Sequence, residues 1–268
     1  MLRKSKLQHN PKSKIIEKGY INVYSKVNSK VKRQLMFKQQ YKKDNPKWDE
    51  TLVYLAKKLN SLNGNELVVL DAGCGNGNYI IDENRSKIRW AAGLDVRKEF
   101  VKNNICLDEI AIGNLENLPF EKNFYDIVLS LWVLEHLKDP QNAIKEIARV
   151  LKPGGLFMFA TPNKDYFPLK IVHLLKNTGI NSILNKILFG RSKTDIFPAY
   201  YKANTLKDIN ILVKDYFEIE ELKLNYDVSY LAFNKITYNV AKELAQTPNY
   251  MHRYFYPHVI GIAKKIID

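Results

Sequence analysis

Apolar and polar positions along this 268-residue chain fall into two periods, and their order sketches a fold. Short runs of five to ten residues, apolar or alternating, recur at 67–71, 88–96, 109–114, 125–131, 155–162, 217–225 and 256–265 and read as strands. Between them lie stretches with helical spacing. In DETLVYLAKKLNSLNG (49–64), Leu52, Leu55 and Leu59 recur at three or four residues and Gly64 offers a stop. A further helix is expected around 140–151, closed by VLKPGG, in which Pro153 and two glycines turn the chain into the strand at 155. Strands alternating with helices predict an α/β fold, a doubly wound, mostly parallel sheet of seven strands. Helices precede the sheet, and helical inserts follow strands five and six.

Four segments follow from this pattern. Residues 1–18 are expected to be a disordered basic arm, 19–64 N-terminal helices and 65–163 a cofactor-binding core. Residues 164–268 are expected to cap a substrate and to supply the last two strands within the same domain. Composition suits a packed core, with 46% hydrophobic, 12% aromatic and 26% charged residues.

Charge changes the picture at one end only. Of a net charge of +14, +10 falls in the first fifty residues, where fourteen Lys or Arg face four acids. Such an arm can meet nucleic acid, anionic lipid or a phosphorylated substrate, or simply keep the protein in solution. The excess is lysine rather than arginine, which weakens the case for bidentate phosphate recognition. Two cysteines, Cys74 and Cys106, form no CxxC or Cys/His cluster and favour a reducing compartment. The basic start is followed by no apolar signal region, and no run approaches the roughly 20 apolar residues that cross a bilayer. A soluble, cytoplasmic protein is expected.

The candidate chemistry begins with VVLDAGCGNGNYI, residues 68–80, in which three glycines at alternate positions follow a strand. One glycine suffices for a turn. Gly73, Gly75 and Gly77 together point to a backbone that must approach a ligand. The spacing is G-x-G-x-G, neither the dinucleotide G-x-G-x-x-G nor a phosphate-binding G-x-x-x-x-G-K.

Here the chain resembles class I S-adenosylmethionine-dependent methyltransferases. LDAGCGNG (70–77) is similar to their first motif, and the match continues in order. GLDV (93–96) ends the second strand with an acid, GNLENLPF (113–120) is similar to G-D-A-E-x-L-P-F, and FYDIVLSLWVLEHLKDP (124–140) looks like motif IV with its helix. EIARVLKPGGLFMFATPN (146–163) matches the helix, turn and strand that follow.

The resemblance implies S-adenosylmethionine as cofactor. The loop Gly73, Gly75, Asn76 and Gly77 and the next helix's N-terminus would face its carboxylate, and Asp71 would meet its amino group or orient the loop. Asp95, with Val96 beside it, would accept from the ribose hydroxyls. Asn114 replaces the usual aspartate near adenine but keeps an accepting carbonyl, and Leu115 offers its backbone N–H. Leu131 and Trp132 would wall the adenosine and sulfonium.

For the acceptor, His136 in LEHLKDP is the first candidate for a general base and His252 the second, with His258 near the last strand also considered. The segment is similar to that of quinone-ring O-methyltransferases, some of which bind a divalent metal through Glu-x-x-Glu-His. Trp132 takes the place of the first carboxylate, so no required metal is expected. No Asn/Asp-Pro-Pro-Tyr/Phe tetrapeptide follows strand four, which disfavours methylation of an exocyclic base amine. Tyr200, Tyr201, Tyr230 and Tyr254, with Tyr226, Tyr238 and Tyr250 behind them, are the expected pocket lining.

These features favour O-methylation of a small molecule, a sugar or glycan, or a quinone-like acceptor. Three alternatives stay open. GCGNGNY also resembles the loop of some tRNA wobble-base enzymes, whose substrate the basic arm would track. The amphipathic basic stretch 169–193 could lie on an anionic membrane for lipid methylation, although a lid over the pocket with its apolar face inward is the favoured reading of that stretch. A non-catalytic cofactor binder is the last. Oligomeric state is left undetermined.

Overall fold

A computed structural model describes residues 29–102, 104–174 and 198–267. The arm 1–18 lies outside the described residues, as does most of the basic stretch 169–193, including Lys176, Lys186, Arg191 and Lys193.

Seven strands form one sheet: β1 (Leu67–Ala72), β2 (Ile88–Asp95), β3 (Glu109–Ile112), β4 (Tyr125–Leu131), β5 (Leu151–Pro162), β6 (Phe217–Asn225) and β7 (His258–Lys265). Their order is β3-β2-β1-β4-β5-β7-β6. The first five are parallel, and β7 enters antiparallel between β5 and β6. The chain winds outward from β1 in one direction and from β4 in the other. A crevice therefore opens where these neighbours diverge, above their C-terminal ends.

The helices are α1 (Ser29–Asp44), α2 (Thr51–Ser61), α3 (Tyr79–Glu83), α4 (Lys98–Val101), α5 (Pro140–Val150), α6 (Phe167–Leu174), α7 (Leu206–Val213), α8 (Lys235–Leu244) and α9 (His252–Phe255). Local sequence explains their ends. Asp139 accepts from Asn142 N at 3.2 Å and Pro140 takes the first helical position of α5. Thr205 caps α7 through Asp208 N at 3.0 Å, and Asn234 and Thr237 form a reciprocal capping box on α8.

Both faces of the sheet are covered, which is why its central strands read as unbroken apolar runs. Val68 and Leu70 pack with Leu94, Val128, Phe157 and Phe159 against Ile144 and Ile147 of α5 and Ile209 of α7. Val69, one residue out of phase, points the other way and joins Ile127, Leu129, Met158 and Ile260 against Leu55 and Leu59 of α2.

Most boundaries lie within two residues of expectation, and two elements differ by more. The helix expected over 49–64 spans Thr51–Ser61, and Leu62 is already extended, so Gly64 follows the stop instead of making it. Strand β5 starts at Leu151 rather than 155, because Leu151 pairs with Tyr125 directly at the end of α5 before the register shifts to Ile127 and Leu156.

Several tyrosines also have a structural place. Tyr41, Tyr226 and Tyr238 are buried with Val228 and Ala241, and Phe37, Trp48 and Tyr256 pack against them. This cluster attaches α1 and α8 to the domain. Tyr226 and Tyr238 are thus core residues, not lining of the cavity described below.

Candidate functional site

The glycine loop folds back on the end of β2. Gly73 N and Cys74 N both donate to Leu94 O, at 2.8 and 3.0 Å, and Gly77 N donates to Cys74 O at 3.2 Å. Asn104 Nδ2 donates to the carbonyls of Cys74 and Gly75, each at 3.2 Å. Gly73 has φ +96, and a Cβ there would lie 2.2 Å from Val133 Cγ2. Gly75 has φ +45 but a Cβ would meet nothing within 4 Å, so the loop presents an open edge there. The helix expected to add its N-terminus is only the five residues of α3, and Ile80 N is already taken by Asn78 Oδ1 at 2.9 Å. Anion binding by a helix dipole has little to work with here.

Two carboxylates flank this loop. Asp95 ends β2 and accepts from Gly75 N through Oδ2 and from Arg97 N through Oδ1, both at 2.9 Å. Each oxygen keeps a further lone pair for a hydroxyl donor. Asp71 ends β1 and is 1% exposed, and its Oδ2 has no hydrogen-bond partner among the described residues. Burial pushes its carboxyl from 3.8 up to about 7, with the neighbouring Asp95 charge adding to the effect. An orphaned buried carboxylate oxygen fits a cationic partner, such as an amino group, supplied from outside the chain.

A cavity of about 500 Å³ occupies the crevice. It brings together Gly73, Gly75, Asp95, Val96, Asn114, Leu115, Leu131, Trp132, His136 and Tyr200 of the residues expected from sequence. Asp71, Asn76 and Gly77 belong to the loop region but do not line it. Asn114 Oδ1 accepts from Glu116 N at 3.1 Å, so one lone pair of its carbonyl is already used. Leu115 is 4% exposed and its side chain joins the core. Trp132 sits at φ +61, a backbone region costly for a bulky residue, held by Trp132 N donating to Ala160 O at 2.9 Å.

His136 closes a 3-10 turn, Leu134–His136, after β4. Its Nδ1 lies 2.9 Å from Pro198 O. A carbonyl only accepts, so the neutral ring carries its proton on Nδ1 and keeps a lone pair on Nε2. That nitrogen is 3.7 Å from Glu135 Oε1. The ring is thereby in the tautomer a base needs.

The structure does not gather the remaining candidates. His252 stacks on Tyr256 with ring centroids 4.0 Å apart, and its Nε2 lies 2.7 Å from Thr247 O. Tyr201 is buried with Tyr166 and Leu169, with Tyr230 packed against that group. Tyr230 also bonds His258 Nε2 at 2.9 Å. Tyr254 is half exposed beside Arg253 and Lys170. His258 is 4% exposed, with Nδ1 2.8 Å from Thr51 Oγ1, and burial lowers its pKa to about 4, leaving a neutral structural group. The described residues contain no group of three or more His, Cys, Asp or Glu able to hold a metal ion.

Sequence reasoning missed Glu116, Val133, Leu137, Lys138 and Pro198 in the lining, and passed over Glu135 as half of a lost metal set. Adjacency to His136 was the one signal for Glu135. Pro198 had none.

Comparison with known proteins bears on this cavity. Residues 70–159 match the family model described as a methyltransferase domain. A probable S-adenosylmethionine-dependent methyltransferase of Mycolicibacterium smegmatis is 38% identical over 102 residues, covering 37% of this chain and 39% of that protein. A tRNA (carboxymethyluridine(34)-5-O)-methyltransferase of Arabidopsis thaliana is 37% identical over 97 residues, 34% of this chain and 23% of that protein. A ubiquinone biosynthesis O-methyltransferase of Proteus mirabilis is 28% identical over 207 residues, 70% of this chain and 81% of that protein. The chain thus matches about two fifths or less of the length of the first two. Among solved structures, a Haloferax volcanii protein in complex with the Trm112 methyltransferase activator superposes with TM-score 0.55 at 19% identity, covering 81% of this chain and 89% of that one. At such identity the likeness is one of fold.

Proposed function

We propose that this chain, which carries a class I S-adenosylmethionine-dependent methyltransferase domain, transfers a methyl group to an oxygen of a small acceptor: a sugar or glycan, or a quinone-like ring. The residues present fit the cofactor. Asp71 offers its orphaned oxygen to the amino group, the open edge at Gly75 leaves room for the chain, and Asp95 has lone pairs for the ribose. Val96, Asn114, Leu115, Leu131 and Trp132 would enclose the adenosine. When bound, the cofactor supplies an electrophilic methyl on a sulfonium.

The remaining work belongs to the protein. Trp132, Val133 and Leu131 form an apolar wall that excludes water from the reacting groups. The cavity holds donor and acceptor in alignment, from which much of the acceleration in a displacement arises. His136 Nε2 accepts the proton of the acceptor hydroxyl. The observation that carries the reading is this one imidazole, set in the base-competent tautomer by Pro198 O on the wall of the cofactor cavity.

Free, buried Cys74 and Cys106 support residence in a reducing compartment such as the cytoplasm. No helix of the described residues is long and apolar enough to cross a membrane. A second reading, methylation of tRNA at oxygen, is supported by the likeness to the plant wobble-uridine enzyme and by the +10 charge of the first fifty residues.

The test uses methyl-labelled S-adenosylmethionine and a host extract divided into small-molecule, RNA and lipid pools. Label in the small-molecule pool, recovered as an O-methyl product by mass spectrometry, supports the proposal. Label in RNA that ribonuclease removes transfers support to the second reading, and label in lipid overturns both.

A further inference from the structure

Glu135 joins three separate pieces of the chain around the cavity. Its side chain is 1% exposed, an expensive place for a carboxylate without a task or partners. Thr161 Oγ1, on β5, donates to Glu135 Oε2 at 3.1 Å and itself accepts from Asn204 Nδ2 at 2.6 Å. The backbone carbonyl of Glu135 accepts from Tyr200 N at 2.7 Å and Tyr201 N at 3.2 Å. The adjacent His136 binds Pro198 O through Nδ1. Residues 198–204 are therefore fastened to the turn after β4 at several points, and this places Tyr200 on the cavity wall.

We infer that Glu135 is a positioning residue for His136, holding the ring as it becomes an imidazolium and fixing the segment that carries Tyr200. The inference rests on the reading of His136 as the base. In the transfer, the acceptor O–CH3 bond forms as the sulfur–CH3 bond breaks, and the acceptor proton passes to His136 Nε2. The carboxylate 3.7 Å away then faces a positive ring instead of a lone pair. An opposite charge at that distance favours the protonated form. Among the described residues, the other charged groups lining this part of the cavity are Glu116, which accepts from Asp139 N, and Lys138, whose carbonyl accepts from Lys202 Nζ. Asp95 also lines the cavity.

The experiment is a histidine ¹⁵N NMR titration of the full chain bound to S-adenosylhomocysteine, comparing wild type, Glu135→Gln and Glu135→Asp. The proposal expects the midpoint of His136 protonation to be lower in Glu135→Gln than in wild type. It expects a smaller fall in Glu135→Asp, with the affinity for S-adenosylhomocysteine within twofold of wild type. A midpoint in Glu135→Gln equal to wild type would overturn it. So would a Gln variant that fails to fold together with an Asp variant at the wild-type midpoint. No methyl acceptor is used, so failure here is separate from failure of the acceptor class.

Discussion

Asp95 Oδ2 accepts the backbone N–H of Gly75 at 2.9 Å, across the gap between the end of β2 and the glycine loop. The acid that the family pattern assigns to ribose is thus also a brace for the loop facing the rest of the cofactor. Removing it takes away a charge-assisted bond and, on the proposed reading, the ligand contact together.

Asp95→Ala is expected to weaken S-adenosylmethionine binding by about 10- to 100-fold, the equivalent of about 1.5–3 kcal/mol for a hydrogen bond to a charged group. Titration calorimetry on the purified protein reads this directly. Unchanged affinity would remove Asp95 from the site.

Asp71 opposes folding at the place where it is proposed to serve binding. Its folded-state carboxyl is raised from 3.8 to about 7, so its contribution is most favourable below 3.8 and is lost as pH rises through about 7. Asp71→Asn cannot ionise. The cofactor-free variant is expected to be more stable than wild type at pH 8, by on the order of 1–3 kcal/mol, and to bind S-adenosylmethionine less tightly. Thermal melts at pH 5 and 8 check the sign: the difference should shrink at the lower pH.

His258 gives the opposite slope. Burial lowers its pKa to about 4 despite Asp227, with Lys38 on the same side as burial. Stability from the neutral ring is full above 6.5 and is lost as pH falls through about 4. Wild type should lose on the order of 1–3 kcal/mol over this window relative to His258→Gln, which does not titrate. Parallel melting curves for the two proteins between pH 7 and 4 would contradict the burial argument.

Gly73 and Gly75 separate strain from obstruction. Gly73→Ala places a methyl 2.2 Å from Val133 Cγ2 at φ +96 and should cost about 2 kcal/mol or more of stability. Gly75→Ala meets no atom but projects into the open edge at φ +45. About 1 kcal/mol of stability should go, while S-adenosylmethionine affinity falls tenfold or more. Denaturant melts alongside binding isotherms distinguish the two variants.

Sequence reading worked where a local pattern has one physical outcome. Val68, Val69 and Leu70, β-branched or apolar in succession and followed at once by glycines, suit a strand covered on both faces. Reading failed where a side chain's partner lies far along the chain. His252 looked available until Thr247 O and the Tyr256 ring occupied it. Tyr230 looked like lining but bonds His258, and Tyr226 closes a core with Tyr41, 185 positions earlier. Glu135 gains its meaning from Tyr200, Tyr201 and, through Thr161, Asn204, in a stretch that carries no motif. The register slip that starts β5 at Leu151 depends on Tyr125, which no window around 151 contains.

The most direct test of the account is the rate of methyl transfer by wild type and His136→Gln to whichever small molecule takes up the label, with cofactor affinity measured in parallel. General base catalysis predicts a fall of about 10²–10⁴-fold in rate with S-adenosylmethionine affinity nearly unchanged. Equal rates for the two proteins, or transfer to RNA instead, would contradict it.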